Sequence, residues 1–162
     1  MKNETVYGIS VPKIGFGTWN IGGGSYADPT QDPASLTALR TALDAGYTHF
    51  DTAESYASGH SEELVGRAIR EANAKREDLF ITTKISPEHL QYDHVLRSCD
   101  DSLRRLNMDY IDLYLIHWPP RAGAELNEAF RALNQLVRER KVKHLGVSNF
   151  KLKLLKQAQA LS

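Results

Sequence analysis

The feature that most constrains this chain is the regular alternation of short apolar runs with longer amphipathic stretches. Five runs have the length and the β-branched or aromatic content of strands: residues 11–17, 47–52, 79–85, 111–117 and 144–148. Each is followed by residues with apolar side chains at helical spacing. Strict strand–helix alternation predicts parallel strands joined by right-handed crossovers, an α/β fold. Periodicity alone leaves a barrel and an open doubly wound sheet as alternatives.

The segment ends add local predictions. A β-hairpin precedes the first parallel strand, with its turn near residues 8–10. Asp32 followed by proline predicts a helix N-cap, and Gly46 predicts the end of that helix. Ser61 is the predicted cap of the second helix, with acidic residues at its positive end. With 162 residues and no linker-like segment, the chain is predicted to form a single domain, residues 1–162.

Bulk properties exclude several classes of function. Twenty basic and twenty acidic residues leave no net charge, which argues against binding to nucleic acid or to an anionic membrane. The longest apolar runs are strand-sized, and the first residues lack the apolar core of a signal peptide. A lone cysteine, Cys99, cannot form an internal disulfide and is predicted to be a buried packing residue, so the cytoplasm is the expected compartment. The histidines lack metal-ligand spacing, so we expect no metal site.

Polar side chains follow the strands at the edge where a parallel barrel places its active site. Asp51 ends the second strand with Tyr56 in the loop beyond it, Lys84 lies near the end of the third, and His117 ends the fourth. Each residue alone more often serves a structural role. Four of them at successive strand ends predict a shared site.

The four side chains form a coherent proton donor. An ammonium beside a phenol favours loss of the phenolic proton, so Lys84 would activate Tyr56, and Asp51 would hold Lys84 charged. His117 would orient a carbonyl oxygen by donating a hydrogen bond. This set suits a reaction in which a carbonyl gains a hydride at carbon and a proton at oxygen.

Four segments together resemble the aldo-keto reductase family: residues 45–56 (AGYTHFDTAESY), 79–84 (LFITTK), 111–119 (IDLYLIHWP) and 146–150 (GVSNF). The resemblance implies a partial (β/α)8 TIM barrel of about five parallel β/α units preceded by the hairpin. It also implies NADPH-dependent reduction of aldehydes or ketones to alcohols.

The same resemblance assigns roles to individual residues. Tyr56 would be the general acid, Lys84 and Asp51 its tuning pair, and His117 the group that orients the carbonyl. The resemblance further implies residues for the cofactor and the substrate: Thr18, Trp19, Asp51, Ser148 and Asn149 for NADP(H), and Trp19 and Trp118 for the substrate. For both tryptophans, packing in the core or rim remains an equal alternative.

The resemblance stops short of a whole barrel, which usually needs about 250 residues. Three strand–helix units of the family are absent, and with them the residues that stack on the nicotinamide and bind the adenosine phosphate. Two interpretations therefore stay open. The chain is a reductase of small carbonyl compounds, or it is a fragment or interaction module in which cofactor binding is weakened or absent. Five strands cannot close a barrel, so we also expect self-association through the open face or edges. An open nucleotide-binding sheet is disfavoured because no helix follows directly after residues 22–24.

Overall fold

The computed structural model describes residues 2–6, 8–120 and 126–162. Its elements are, in chain order, β1 (Asn3–Val6), β2 (Ile9–Pro12), β3 (Phe16–Gly17), α1 (Asp32–Asp44), β4 (His49–Asp51), α2 (His60–Glu71), β5 (Phe80–Ile85), α3 (Tyr92–Leu106), β6 (Ile111–Ile116), α4 (Leu126–Arg138), β7 (Val142–Val147) and α5 (Leu152–Gln159). Strands β1 and β2 form an antiparallel hairpin, and the other five form one parallel sheet.

The order of the strands in the sheet decides between the two architectures that periodicity left open. The five parallel strands lie in chain order, β3-β4-β5-β6-β7, each paired with the next. A doubly wound sheet would reverse its order at a switch point, whereas a barrel wall adds each strand on the same side of the last. The predicted fold class, five β/α units of a partial TIM barrel after a hairpin, is confirmed. That residues 1–162 make one domain stays a prediction.

Strand β5 shows how the period-two pattern divides the side chains between the helix layer and the inner face. Thr83 donates to Glu62 on α2 at 2.6 Å, so it faces the helices. The next residue, Lys84, therefore projects from the opposite face, where its ammonium contacts Asp51. The core between sheet and helices includes Cys99, which is fully buried as predicted.

Three local predictions are wrong. Residues 11–17 form two strands, because Val11–Pro12 complete the hairpin and the parallel sheet begins only at Phe16. The hairpin turn predicted near residues 8–10 does include Gly8, but it ends there, because Ile9 already pairs with Val6. Asp32 is the first residue of α1 rather than its cap, and its carboxylate instead accepts a hydrogen bond from His60 at 2.8 Å.

Ser61 is the third. Helix α2 begins one residue earlier, after Gly59 in a left-handed conformation (φ +93°), and Ser61 is buried inside it. The Ser61 hydroxyl donates hydrogen bonds to the backbone carbonyl of Thr18 at 3.0 Å and to the Thr18 hydroxyl at 2.9 Å. By contrast, Gly46 ends α1 as predicted: it has φ +83° and donates its N–H to Leu43. Among the described residues, none of the helices combines the length and apolarity needed to cross a bilayer.

Candidate active site

The four predicted site residues reach one end of the sheet from three neighbouring strands. Asp51 is the last residue of β4, Lys84 the penultimate residue of β5, and His117 directly follows β6. Tyr56 opens a short 3-10 turn, Tyr56–Gly59, between β4 and α2. Because parallel strands all point the same way, their carboxyl ends meet at one edge, and the structure brings all four side chains together there.

The backbone after Tyr56 is held in an unusual conformation. Ala57, Ser58 and Gly59 are all left-handed, with φ of +48°, +55° and +93°. For a residue with a Cβ this conformation costs on the order of 1–3 kcal/mol and persists only where surrounding contacts enforce it. Ala57 is fully buried and donates its N–H to the carbonyl of Gly24 at 2.9 Å. The turn is therefore locked against the 22–24 loop, which fixes the position of the tyrosine before it.

The Lys84 ammonium is the centre of the site. It donates to Asp51 Oδ1 at 2.6 Å, to the backbone carbonyl of Thr52 at 2.7 Å and to Tyr56 Oη at 3.1 Å. All three donors are used, and the side chain is only 7% exposed. An ammonium held at the phenolic oxygen stabilises negative charge on it, as a tyrosine acid requires.

His117 lies beside the phenol, with the two rings 5.5 Å apart and near-perpendicular. Burial, and next the positive charge of Lys84, lower the pKa of His117 below its ordinary value. The imidazole is therefore neutral at pH 7 and has one N–H to donate. Its Nδ1 lies 3.4 Å from the hydroxyl of Ser55. A neutral donor suits the carbonyl-orienting role better than an imidazolium repelled by Lys84 would.

These side chains open into a cavity of about 740 Å³. Trp19 packs edge-on against Tyr56 with ring centroids 5.0 Å apart, and Trp118 stacks on His117 at 6.2 Å. Each tryptophan is 52% exposed, so both line the rim of the cavity rather than the core. The described lining comprises Trp19, Ser25, Ser55, Tyr56, Ser86, Pro87, Glu88, His117, Trp118 and Pro119. Sequence reasoning missed the segment 86–88, although its position directly after the lysine strand pointed to it.

The residues predicted to contact the cofactor fall into two groups. Ser148 and Asn149 follow β7 at the same end of the sheet, and the Asn149 side-chain amide donates to the carbonyl of His117 at 2.9 Å. Thr18 is different: it is fully buried, and its hydroxyl donates to the backbone carbonyl of Asp51 at 3.1 Å. Their cofactor roles stay predictions. Among the residues described, no group of three or more His, Cys, Asp or Glu side chains could hold a metal ion.

Comparisons with known proteins show what this chain is similar to. The model of the aldo/keto reductase family matches residues 13–162. The chain is similar to aldo-keto reductase YhdN of Bacillus subtilis (36% identity, covering 96% of this chain and 48% of that protein). It is also similar to methylglyoxal reductase DkgA of Escherichia coli O157:H7 (38% identity, 94% and 52%). It thus spans about half the length of these curated relatives.

Solved structures give the same result. The thermostable aldo-keto reductase Tm1743, in complex with the inhibitor epalrestat, superposes with a TM-score of 0.94 at 44% identity, over 100% of this chain and 59% of that one. An aldo-keto reductase from Klebsiella pneumoniae in complex with NADPH has a TM-score of 0.80 at 40% identity, over 98% and 53%.

Proposed function

This chain belongs to the aldo-keto reductase family, and on that premise we propose that it reduces aldehydes or ketones to alcohols with NADPH. The observation that carries the proposal is the Lys84 ammonium, buried and shared between Asp51 and the Tyr56 hydroxyl at 2.6 and 3.1 Å. A phenol so paired is arranged to give up its proton.

The chain's own residues would handle the proton and the orientation of the substrate. His117 donates a hydrogen bond to the carbonyl oxygen, and Tyr56 transfers its proton to that oxygen as the C=O bond becomes C–O–H. The resulting phenolate is stabilised by Lys84, whose ammonium is also paired with Asp51. Reduced NADP, when bound, supplies the hydride that the carbonyl carbon receives.

The residues present fit the nicotinamide end of such a cofactor. Ser148 and Asn149 place a hydroxyl and a side-chain amide at the carboxyl end of β7, one strand away from His117. These groups match the donors and acceptors of a carboxamide. The described lining of the cavity contains no lysine or arginine that could bind a phosphate. We therefore propose weak binding of NADP(H) by this stretch of chain.

The substrate we propose is a small, uncharged carbonyl compound. Two tryptophan rings and two prolines surround the polar floor, and Glu88 is the one charged side chain in the described lining. Aromatic walls around a few polar groups suit a small organic molecule. Because several relatives are named methylglyoxal reductases, methylglyoxal is the first substrate to test.

The decisive experiment compares Tyr56→Phe with the unmodified chain in NADPH oxidation driven by methylglyoxal. Deleting the transferable proton should lower kcat/KM by on the order of 10²-fold or more. Tyr110→Phe is the matched control, because Tyr110 lies at the opposite end of β6, where Arg76 and Lys143 contact its ring. A Tyr56→Phe variant that keeps near-normal turnover would reject Tyr56 as the acid.

Binding of NADPH is measured separately, by quenching of the fluorescence of Trp19 and Trp118. Saturation at micromolar concentration would support the reductase. Absence of binding up to millimolar concentration would favour the alternative, an interaction module or fragment that retains the quartet without the hydride donor.

We also propose that the chain self-associates and acts in the cytoplasm. Within the described residues, β3 and β7 each pair on one side only, so two strand edges and the inner face stay open. Open edges are templates for pairing with another chain, here a second copy. A monodisperse, folded monomer at micromolar concentration by sedimentation would contradict self-association.

A further inference from the structure

Glu54 is a buried carboxylate beside the active site that the proton transfer does not use. Its side chain is 8% exposed, and it lies between the two site residues Asp51 and Tyr56 in the chain. Burying a carboxylate is unfavourable unless hydrogen bonds compensate for the lost water. The partners of Glu54 therefore indicate what it does.

Both partners of the Glu54 carboxylate belong to the segment after β5. Glu54 Oε1 accepts a hydrogen bond from the backbone N–H of Ser86 at 2.6 Å and another from His89 Nδ1 at 2.9 Å. The Glu54 backbone N–H donates to the carbonyl of Lys84 at 3.2 Å. One residue thus ties the loop that presents Tyr56 to the strand that presents Lys84 and to the four residues that follow.

Residues 86–89, here called the 86–89 wall, form one side of the active-site cavity. Ser86, Pro87 and Glu88 line it, and a short 3-10 turn at Pro87–His89 is closed by the His89 N–H donating to the Ser86 carbonyl at 3.0 Å. Pro87 has no N–H to anchor it. Glu54 holds the wall at both ends, through Ser86 and through His89.

We propose that Glu54 is a positioning residue: its carboxylate fixes the 86–89 wall, on which the part of the substrate beyond the carbonyl group packs. The geometry of the wall does not depend on turnover, whereas its effect on substrate choice rests on the proposed reductase function. The two parts can therefore fail separately.

The first test measures amide hydrogen exchange by NMR in Glu54→Ala. Removing the charged acceptor should speed exchange of the Ser86 amide, which donates to it, by about tenfold or more, since such bonds are stronger than neutral ones. Exchange of the His89 amide should also speed up, because its bond to the Ser86 carbonyl needs the wall to stay in place. Glu54→Gln, which keeps an acceptor oxygen, should show a smaller increase. Glu63→Ala is the matched control, because Glu63 forms a comparable 2.8 Å pair with His60 away from the wall. Exchange within twofold of the unmodified chain in Glu54→Ala overturns the proposal.

The second test compares a bulky and a small substrate. In Glu54→Ala, KM should rise for benzaldehyde by a factor at least five times the factor for methylglyoxal, each relative to the unmodified chain. The kcat for methylglyoxal should stay within threefold of that of the unmodified chain. A general loss of structure would lower kcat/KM for both substrates alike, and that result overturns the role in substrate choice. If the unmodified chain shows no turnover, the reductase proposal fails. The preference for a bulky over a small ligand is then measured as the ratio of the dissociation constants of benzyl alcohol and propane-1,2-diol. Both constants are obtained from the changes in NMR chemical shift of the Ser86 and His89 amides on titration.

A second variant covers the case in which Glu54→Ala does not fold. Ser86 has φ −71° and ψ 149°, a conformation that proline adopts, so Ser86→Pro removes the N–H donor while leaving Glu54 in place. It should speed exchange of the His89 amide and shift the substrate ratio in the same direction. A Ser86→Pro chain that is unchanged in both would refute the wall's dependence on Glu54.

Discussion

Replacing Lys84 with methionine should separate the stability of this protein from its activity. The Lys84 ammonium makes three hydrogen bonds, to Asp51, Thr52 and Tyr56. Methionine keeps an unbranched apolar side chain of similar length but donates none of them. The variant therefore removes a buried charge and its bonds together, while the packing of the stem is largely kept.

The expected change in stability is small because two large terms oppose each other. Three hydrogen bonds to a charged group contribute about 1.5–3 kcal/mol each, or about 4.5–9 kcal/mol together. Removing the ammonium also relieves its desolvation penalty, which is several kcal/mol for an ion in a protein interior. The carboxylate left behind, Asp51, is 35% exposed against 7% for Lys84, so water can solvate it. We expect the free energy of unfolding to change by less than about 2 kcal/mol.

Activity should respond far more strongly. Without the cation at 3.1 Å, the negative charge that develops on the Tyr56 oxygen during proton transfer loses its stabilising partner, and general acid catalysis contributes about 10²–10⁴-fold to a rate. We therefore expect Lys84→Met to lower kcat/KM for methylglyoxal by at least about 10²-fold.

Stability is measured as the urea midpoint by circular dichroism, and activity as NADPH oxidation. An Asp51→Asn, Lys84→Met double variant is the control, since it also removes the carboxylate left unpaired. A loss of more than about 4 kcal/mol would show that the ammonium serves the fold, as expected for breaking a fully buried pair. Turnover within tenfold of the unmodified chain would refute the electrostatic role.

Two further predictions concern the helix layer. Gly66→Ala should destabilise the protein by about 1–3 kcal/mol, because a Cβ at this position would overlap the Leu106 carbonyl. This cost should exceed the gain from alanine's better helix propensity. An unchanged urea midpoint would refute the overlap. Burial lowers the pKa of His60, but hydrogen bonds to Glu63 and Asp32 outweigh it and raise the pKa above 6.5. The folded state thus holds the proton more tightly. The loss of stability caused by His60→Gln should therefore be largest below pH 6.5 and become smaller at higher pH. Thermal melts at pH 5.5 and 8.5 measure it, and a larger decrease in melting temperature at pH 8.5 than at pH 5.5 would contradict the prediction.

Much of the site could be predicted from the sequence, because the relevant patterns are local. The spacing of apolar residues and the β-branched content located four of the five parallel strands closely, whereas the first was predicted to begin too early. The polar residues at the ends of those four strands followed from chain order. Parallel strands bring their carboxyl ends together whatever the details of packing. That Asp51, Tyr56, Lys84 and His117 share one site was therefore readable from the sequence without coordinates.

Contacts between residues far apart in the chain could not be predicted in the same way. Ser61 has the residue type of a helix cap, yet its hydroxyl is taken by Thr18, 43 residues earlier. Glu54 is an unremarkable loop residue until β5 folds beside it and places the Ser86 N–H at its carboxylate.

The sequence by itself thus determined the α/β class, the order of the elements and which side chains meet at the candidate site, all of which depend on residue type and on neighbours within a few positions. Tertiary structure decided the strand order of a barrel wall, the three bonds of Lys84, the lowered pKa of His117 and the 86–89 wall. These depend on distances, burial and charge across the sheet, which exist only once separate strands have packed together.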